Sequence, residues 1–342
     1  MPCRFTVWSP SGFLHVALIV AVVAVLTPLR PAAASGPDLP AWRAPIGRDH
    51  PLVGRIFRIA GQAPATALAP LEVVHALERT DFILLGEKHD NPDHHALQAW
   101  TITALAHSGR RSAIALEMIG SDQAPALARY LAAPDADAVG LGEAVGWRAR
   151  GWPDWEIYAP IARAALQANL PIVAADIASK IQQQVSRNGI ASLPPELRTR
   201  LDLDVGFDAA QAASLATELR ASHCGHVSEE KLPNMMDVQR MRDAHMAHAL
   251  VAAAALPRVD GAILIAGIGH VRRDRGIPWQ LERMAPGRTV AVVAFIEVDR
   301  SRPNVDDYDV VGRFDYVWFT PRLDDEDPCI RFFERLRRPR PQ

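Results

Sequence analysis

The chain has 342 residues, 49% of them hydrophobic and 22% charged, which is enough for one large domain or two modest ones with a buried core. A formal charge of −2, with no basic patch interleaved with aromatics, gives nucleic acid no electrostatic reason to bind. No Cys-x-x-Cys-His tract occurs, which excludes a covalently attached c-type haem.

The first forty residues read as a targeting segment rather than as fold. Arg4 supplies a weak positive start, residues 13–26 are apolar apart from His15, and Ala32-Ala33-Ala34 has the small-residue pattern of a cleavage site. The expectation is a signal peptide over 1–34 and an exported protein, periplasmic or extracellular. No cysteine follows the cut, so no lipid attachment is expected. Residues 35–50, with several prolines, read as a tether. The folded domain is expected over 51–322, and 323–342 as a solvated basic tail. An oxidising compartment permits a disulfide between Cys224 and Cys329.

Within the domain, residues 54–59 read as an edge strand and 71–77 as a short helix. The run 81–86 is continuously apolar, as a strand buried on both faces requires. Asn91 followed by Pro92 reads as an N-cap and first helical position of a helix over 92–107. On that helix His94 shares the inward stripe with Leu97, Thr101, Ala104 and Leu105. A second strand over 112–117 ends in Glu117, a third over 172–176 ends in Asp176, and a fourth over 262–266 runs into Gly267-Ile268-Gly269-His270. A fifth spans 289–296. Helices are expected at 124–131 and 157–168, with Trp147, Trp152 and Trp155 in the loop between them, and a helical insertion fills about 177–256. Strands alternating with helices predict an α/β fold: a mostly parallel sheet flanked by helices on both faces.

A parallel sheet gathers the carboxyl ends of its strands on one edge, where ligands bind. That brings Glu87 and His89, Glu117, Asp176 and His270 toward one rim. Imidazole with carboxylate suits a divalent metal held by Glu87, His89 and His270, although no His-Glu-x-x-His or paired Cys-x-x-Cys is present. The competing expectation is that the acids cap helices and the histidines bond locally. His245 with His248, the methionines 235, 236, 241 and 246, Tyr158, and His223 with His226 are weaker candidates. Helix surface, core filler, aromatic packing and a plain turn account for them as well.

Read in order, Gly86-Glu87-Lys88-His89-Asp90-Asn91 with His94-His95, then Glu117-Met118, Trp155 and Tyr158, His223-Cys224-Gly225, Gln239, Arg240 and Asp243, Gly267-Ile268-Gly269-His270, and Asp315-Tyr316-Val317-Trp318 carry a resemblance. This series is similar to the ChaN-like haem-binding uptake proteins of the Tiki superfamily. The resemblance implies an exported haem-binding protein of iron uptake, with haem held at a homodimer interface and an outer-membrane uptake system as partner. It implies a tyrosine as iron ligand, for which Tyr158 is the first candidate, and a histidine reaching a propionate. His94, His95, His223 and Arg240 are the further haem-binding candidates. Related Tiki-type and erythromycin-esterase-like proteins are hydrolases. Their pattern would give Glu87, His89, Glu117 and His270 catalytic roles, with Glu87 or Glu117 as general base. The chain departs from the family in lacking the lipid-attachment cysteine.

Overall fold

The computed structural model describes residues 1–7, 36–59, 61 and 64–337. The chain divides into two units, Met1–Ser35 and Gly36–Gln342. Of the first, only residues 1–7 are described, without regular structure; the apolar stretch 13–26 and the Ala32-Ala33-Ala34 tract lie outside the described residues. Among the described residues no helix is long and apolar enough to cross a membrane.

The second unit is organised on one eight-stranded sheet. Its strands are β1 (Ile56–Arg58), β2 (Thr66–Leu68), β3 (Phe82–Glu87), β4 (Ser112–Gly120), β5 (Ile172–Asp176), β6 (Gly261–Gly267), β7 (Val290–Glu297) and β8 (Tyr316–Thr320). The order is β2-β1-β8-β7-β3-β6-β4-β5. Neighbours from β8 to β5 run parallel, while β1 pairs antiparallel with both β8 and β2. The helices are α1 (Pro70–Leu77), α2 (Pro92–His107), α3 (Ala124–Leu131), α4 (Leu141–Ala144), α5 (Trp155–Gln167), α6 (Ser179–Asn188), α7 (Pro195–Arg200), α8 (Ala209–Ser222), α9 (Leu232–Ala254), α10 (Ile277–Met284) and α11 (Pro328–Arg337).

The alternation of β3 explains its unbroken apolar run. Ile83 and Leu85 pack with α1, α2 and α5 on one face, while Phe82 and Leu84 pack with α9 and α10 on the other. At the start of α2 the Asn91 side chain accepts from the Asp93 amide at 2.9 Å, and Pro92 occupies the first turn where a missing N–H is harmless.

Three expectations change, and the helical insertion, present as expected, gains detail. The first strand is interior, because β2 covers it and takes the edge. The insertion is divided. Met246, Ala247, Leu250 and Ala253 of α9 belong to the sheet-packed core, while Met241 and Ala244 close a smaller cluster with α6 and the segments that follow it. Residues 36–50 are strapped down rather than tethered. The Asp93 carboxylate accepts from the amides of Arg43 (2.7 Å) and Ala44 (3.0 Å), Trp100 Nε1 donates to the Pro37 carbonyl (2.8 Å), and Ile46 bridges to Arg322. The basic tail contains α11, fastened by the Cys224–Cys329 disulfide.

Candidate functional site

Glu87, the last residue of β3, is fully buried and surrounded by donors. Its Oε1 accepts from the Tyr158 hydroxyl at 2.7 Å and from His89 Nδ1 at 2.9 Å. His95 Nδ1 lies 3.0 Å from Oε2 and 3.1 Å from the Gln98 side-chain oxygen, while its Nε2 reaches the His89 carbonyl at 3.0 Å. Burial disfavours the Glu87 charge, yet His95 and His89 outweigh it and hold the carboxyl far below the usual carboxylate range. Burial also opposes charge on His95 and His89, and Glu87 outweighs it for both, so both imidazoles are raised. Tyr158 is driven up by burial and then by Glu87, and its ring stacks on His95 with centroids 3.8 Å apart. It is therefore a neutral donor inside this network.

His94, one helical position earlier, serves another purpose. Its Nδ1 accepts from the Lys88 amide at 2.9 Å and its Nε2 meets Thr320 Oγ1 at 2.9 Å. Burial pushes it down to about 3, so it stays neutral and ties the Glu87 loop to the end of β8.

The second centre forms across the strand ends of β4, β5 and β6. Glu117 accepts from the Gly267 amide (2.6 Å) and from Arg242 (2.7 Å). Arg242 also forks onto Asp176, with contacts of 2.7–3.2 Å. His270 Nδ1 contacts Asp243 at 2.5 Å, and its Nε2 lies 3.0 Å from the Arg242 guanidinium and 3.3 Å from Glu117. Burial opposes charge on His270, but Glu117 and Asp243 outweigh it and push it up to about 9. Gly267 is required by close approach, since a Cβ there would lie 3.0 Å from His89 Nε2.

The two centres share one cavity of about 690 Å³, lined by Glu87, His89, Arg242, His270, Leu219 and His223, with Ile268, Phe295 and Ile296 as further apolar wall. Glu87, His89 and His270 therefore converge as the strand ends implied. They do not form the expected metal centre. Among the described residues no three His, Cys, Asp or Glu side chains are disposed to hold an ion. The Arg242 guanidinium supplies the positive charge between Glu117, Asp176 and His270 that a cation would otherwise provide.

The haem-binding candidates separate equally clearly. Tyr158, His94 and His95 are buried, with their polar atoms engaged internally. Arg240 points away from the cavity, donates to the Leu203 and Val205 carbonyls and lies over the Phe207 ring. His223 alone of the five stands in the cavity wall with a nitrogen to offer. Its Nδ1 donates to the Leu219 carbonyl at 2.8 Å, which leaves the lone pair on Nε2. His89 is held likewise through Nδ1 on Glu87, with Nε2 unengaged among the described residues, but Glu87 favours its charged form.

Arg242 escaped the sequence reading, although a signal existed. Gln239, Arg242, Asp243 and Met246 follow three-to-four spacing and share one helix face, and Arg240 does not. Glu218 and Glu297 in the cavity lining carry no comparable mark, because only tertiary packing brings them there.

A solved structure titled "Cofacial heme binding to ChaN of Campylobacter jejuni" aligns over 77% of this chain and 96% of that one, at 21% identity and a TM-score of 0.59. The type III effector HopBA1 (13% identity, 73% of this chain and 91% of that one, TM-score 0.41) and an erythromycin esterase, EreC (17%, 66% and 72%, TM-score 0.36), are more distant. No curated protein matches the sequence. The family model described as "Haem-binding uptake, Tiki superfamily, ChaN" matches residues 73–281, a span containing the Glu87 network, Arg242, His223 and His270 alike. The chain belongs to the ChaN-like haem-binding uptake family of the Tiki superfamily.

Proposed function

We propose that this protein binds haem in the 690 Å³ cavity at the carboxyl end of the sheet, with imidazole nitrogen offered to the iron. One observation carries the reading. His89 and His223 line the same cavity, and each has Nδ1 held by an oxygen and Nε2 without a hydrogen-bond partner among the described residues; ligation by His89, whose charge Glu87 favours, would release a proton. A ring oriented through its other nitrogen is what a metalloporphyrin ligand needs. The donor set and the partly apolar wall suit the group, and the volume lies within the ordinary range for ligand cavities, ~300–1,000 Å³. Bound haem would supply a Lewis-acidic, redox-active iron; His89 and His223 would supply ligand nitrogens and the cavity wall the shape.

The proposal extends to an exported protein that carries haem for an uptake system and pairs as a homodimer. The targeting pattern of residues 1–34 and family membership support that extension. The hydrolase alternative has less support. Glu87 and Glu117 are both surrounded by donors and held ionised, and both nitrogens of His270 have partners, so none of the three offers a free general base.

Haemin titration tests the reading. Wild type should develop a saturable Soret shift, and His89→Ala and His223→Ala should each weaken binding by about tenfold or change the spectrum, the scale of one lost ligand contact. Spectra identical to those with an inert carrier protein would end it.

A further inference from the structure

We propose that the Cys224–Cys329 disulfide is a redox latch on the cavity wall that carries His223, closed when oxidised and released by a dithiol. The latch deepens the haem reading and rests on it for the identity of the ligand, but its geometry stands apart. The last turn of α8 presents Leu219, Ser222 and His223 to the cavity. The next residue, Cys224, turns the chain at φ 56° and bonds to Cys329 near the start of α11. A cysteine persists in the left-handed region only where its surroundings hold it there, and the cross-link is such a hold.

Helix α11 lies beside the site. Phe332 meets His223 edge-on with centroids 5.9 Å apart, and Phe333 meets His226 edge-on at 4.8 Å. No described residue of α11 belongs to the buried core clusters. Among the described residues, one covalent bond and these ring contacts secure the helix against the His223 turn. Both cysteines are half-buried, and Gly225 and His226 next to the bridge are exposed, so a thiolate can reach a sulfur.

The chemistry balances with a dithiol as reductant. Its thiolate attacks one sulfur, breaking the protein S–S bond and forming a mixed disulfide. Its second thiol then displaces the protein sulfur and closes the reagent's own disulfide. Cys224 and Cys329 together take up two electrons and two protons. With the bond cut, α11 leaves with Phe332, and His223 loses the aromatic ring that restricts it.

Two measurements test the latch. In ligand-free protein, diethylpyrocarbonate should modify His223 several-fold faster after dithiothreitol treatment, or in the Cys224→Ser/Cys329→Ser variant, than in the oxidised wild type. Equal rates overturn the proposal. With zinc protoporphyrin IX as probe, reduction should weaken binding about tenfold, and His223→Ala should abolish that redox dependence, because the two changes act through one contact. Intact porphyrin binding that ignores the redox state also overturns the latch. A His223 rate that still responds to reduction, in a protein that binds no porphyrin in either state, sustains the latch and removes the haem reading.

Discussion

Arg242 is the side chain on which the second centre turns. It compensates Glu117 and Asp176, both buried, and stands beside His270, whose Nε2 also faces Glu117. Arg242→Met keeps much of the volume but leaves two buried carboxylates without their cation, and should cost roughly 3–5 kcal/mol in urea unfolding. A loss below about 1 kcal/mol would show that the carboxylates are hydrated or protonated instead. His270 gives a pH prediction. Its folded pKa of about 9 lies above the ordinary 6.5, so its stabilising contribution is complete below pH 6.5 and fades as pH rises through 9. The groups facing it are Glu117, Asp243, Arg242 and Gln239. Stability should fall by on the order of 3 kcal/mol between pH 6.5 and 10, and His270→Asn should flatten that limb. His94, held down to about 3, acts on the acid side: its contribution is present above 6.5 and is lost as pH falls toward 3.

At the scale of elements, the β3–α2 unit was legible because its signals are local. A continuous apolar run, an Asn-Pro boundary and a three-to-four stripe each report on residues a few positions apart, and the structure places the strand, cap and inward His94 as read. Residues 36–50 were illegible for the opposite reason. Their anchors, Asp93 and Trp100, lie some fifty residues away, and proline-rich composition looks the same strapped or free. Asp93→Ala removes the acceptor of two backbone amides and should cost about 1–3 kcal/mol. Limited proteolysis should then cut within 36–50 well before the sheet unfolds. Protection equal to wild type would mean that the strap is held by its other contacts. Arg242 lies in α9 at helical spacing from Gln239 and Met246, a signal the sequence carries but does not tie to any acid until the strands are assembled.

At the scale of the whole molecule, the disulfide joins residues 105 positions apart. Closing a loop of about 100 residues is worth ~4.7 kcal/mol in the chain-entropy account. Because no described residue of α11 joins the core clusters, the proposed release of α11 on reduction predicts a measured loss in denaturant unfolding smaller than that. A loss of the full amount would mean that α11 stays docked without the bond. Composition, strand and helix periodicity, and the polar residues at successive strand ends determined the α/β class, the parallel sheet and the rim to which Glu87, His89, Glu117 and His270 converge, since all of these depend on short-range pattern and on the geometry every parallel sheet shares. Only the tertiary structure decided that Arg242 stands among Glu117, Asp176 and His270, that Tyr158, His94 and His95 are engaged internally while His89 and His223 line the cavity, and that both chain ends of the described domain are fastened to it. Those outcomes depend on which distant side chains meet in a buried space, where the balance of desolvation against partner charge is set by neighbours that no local window contains.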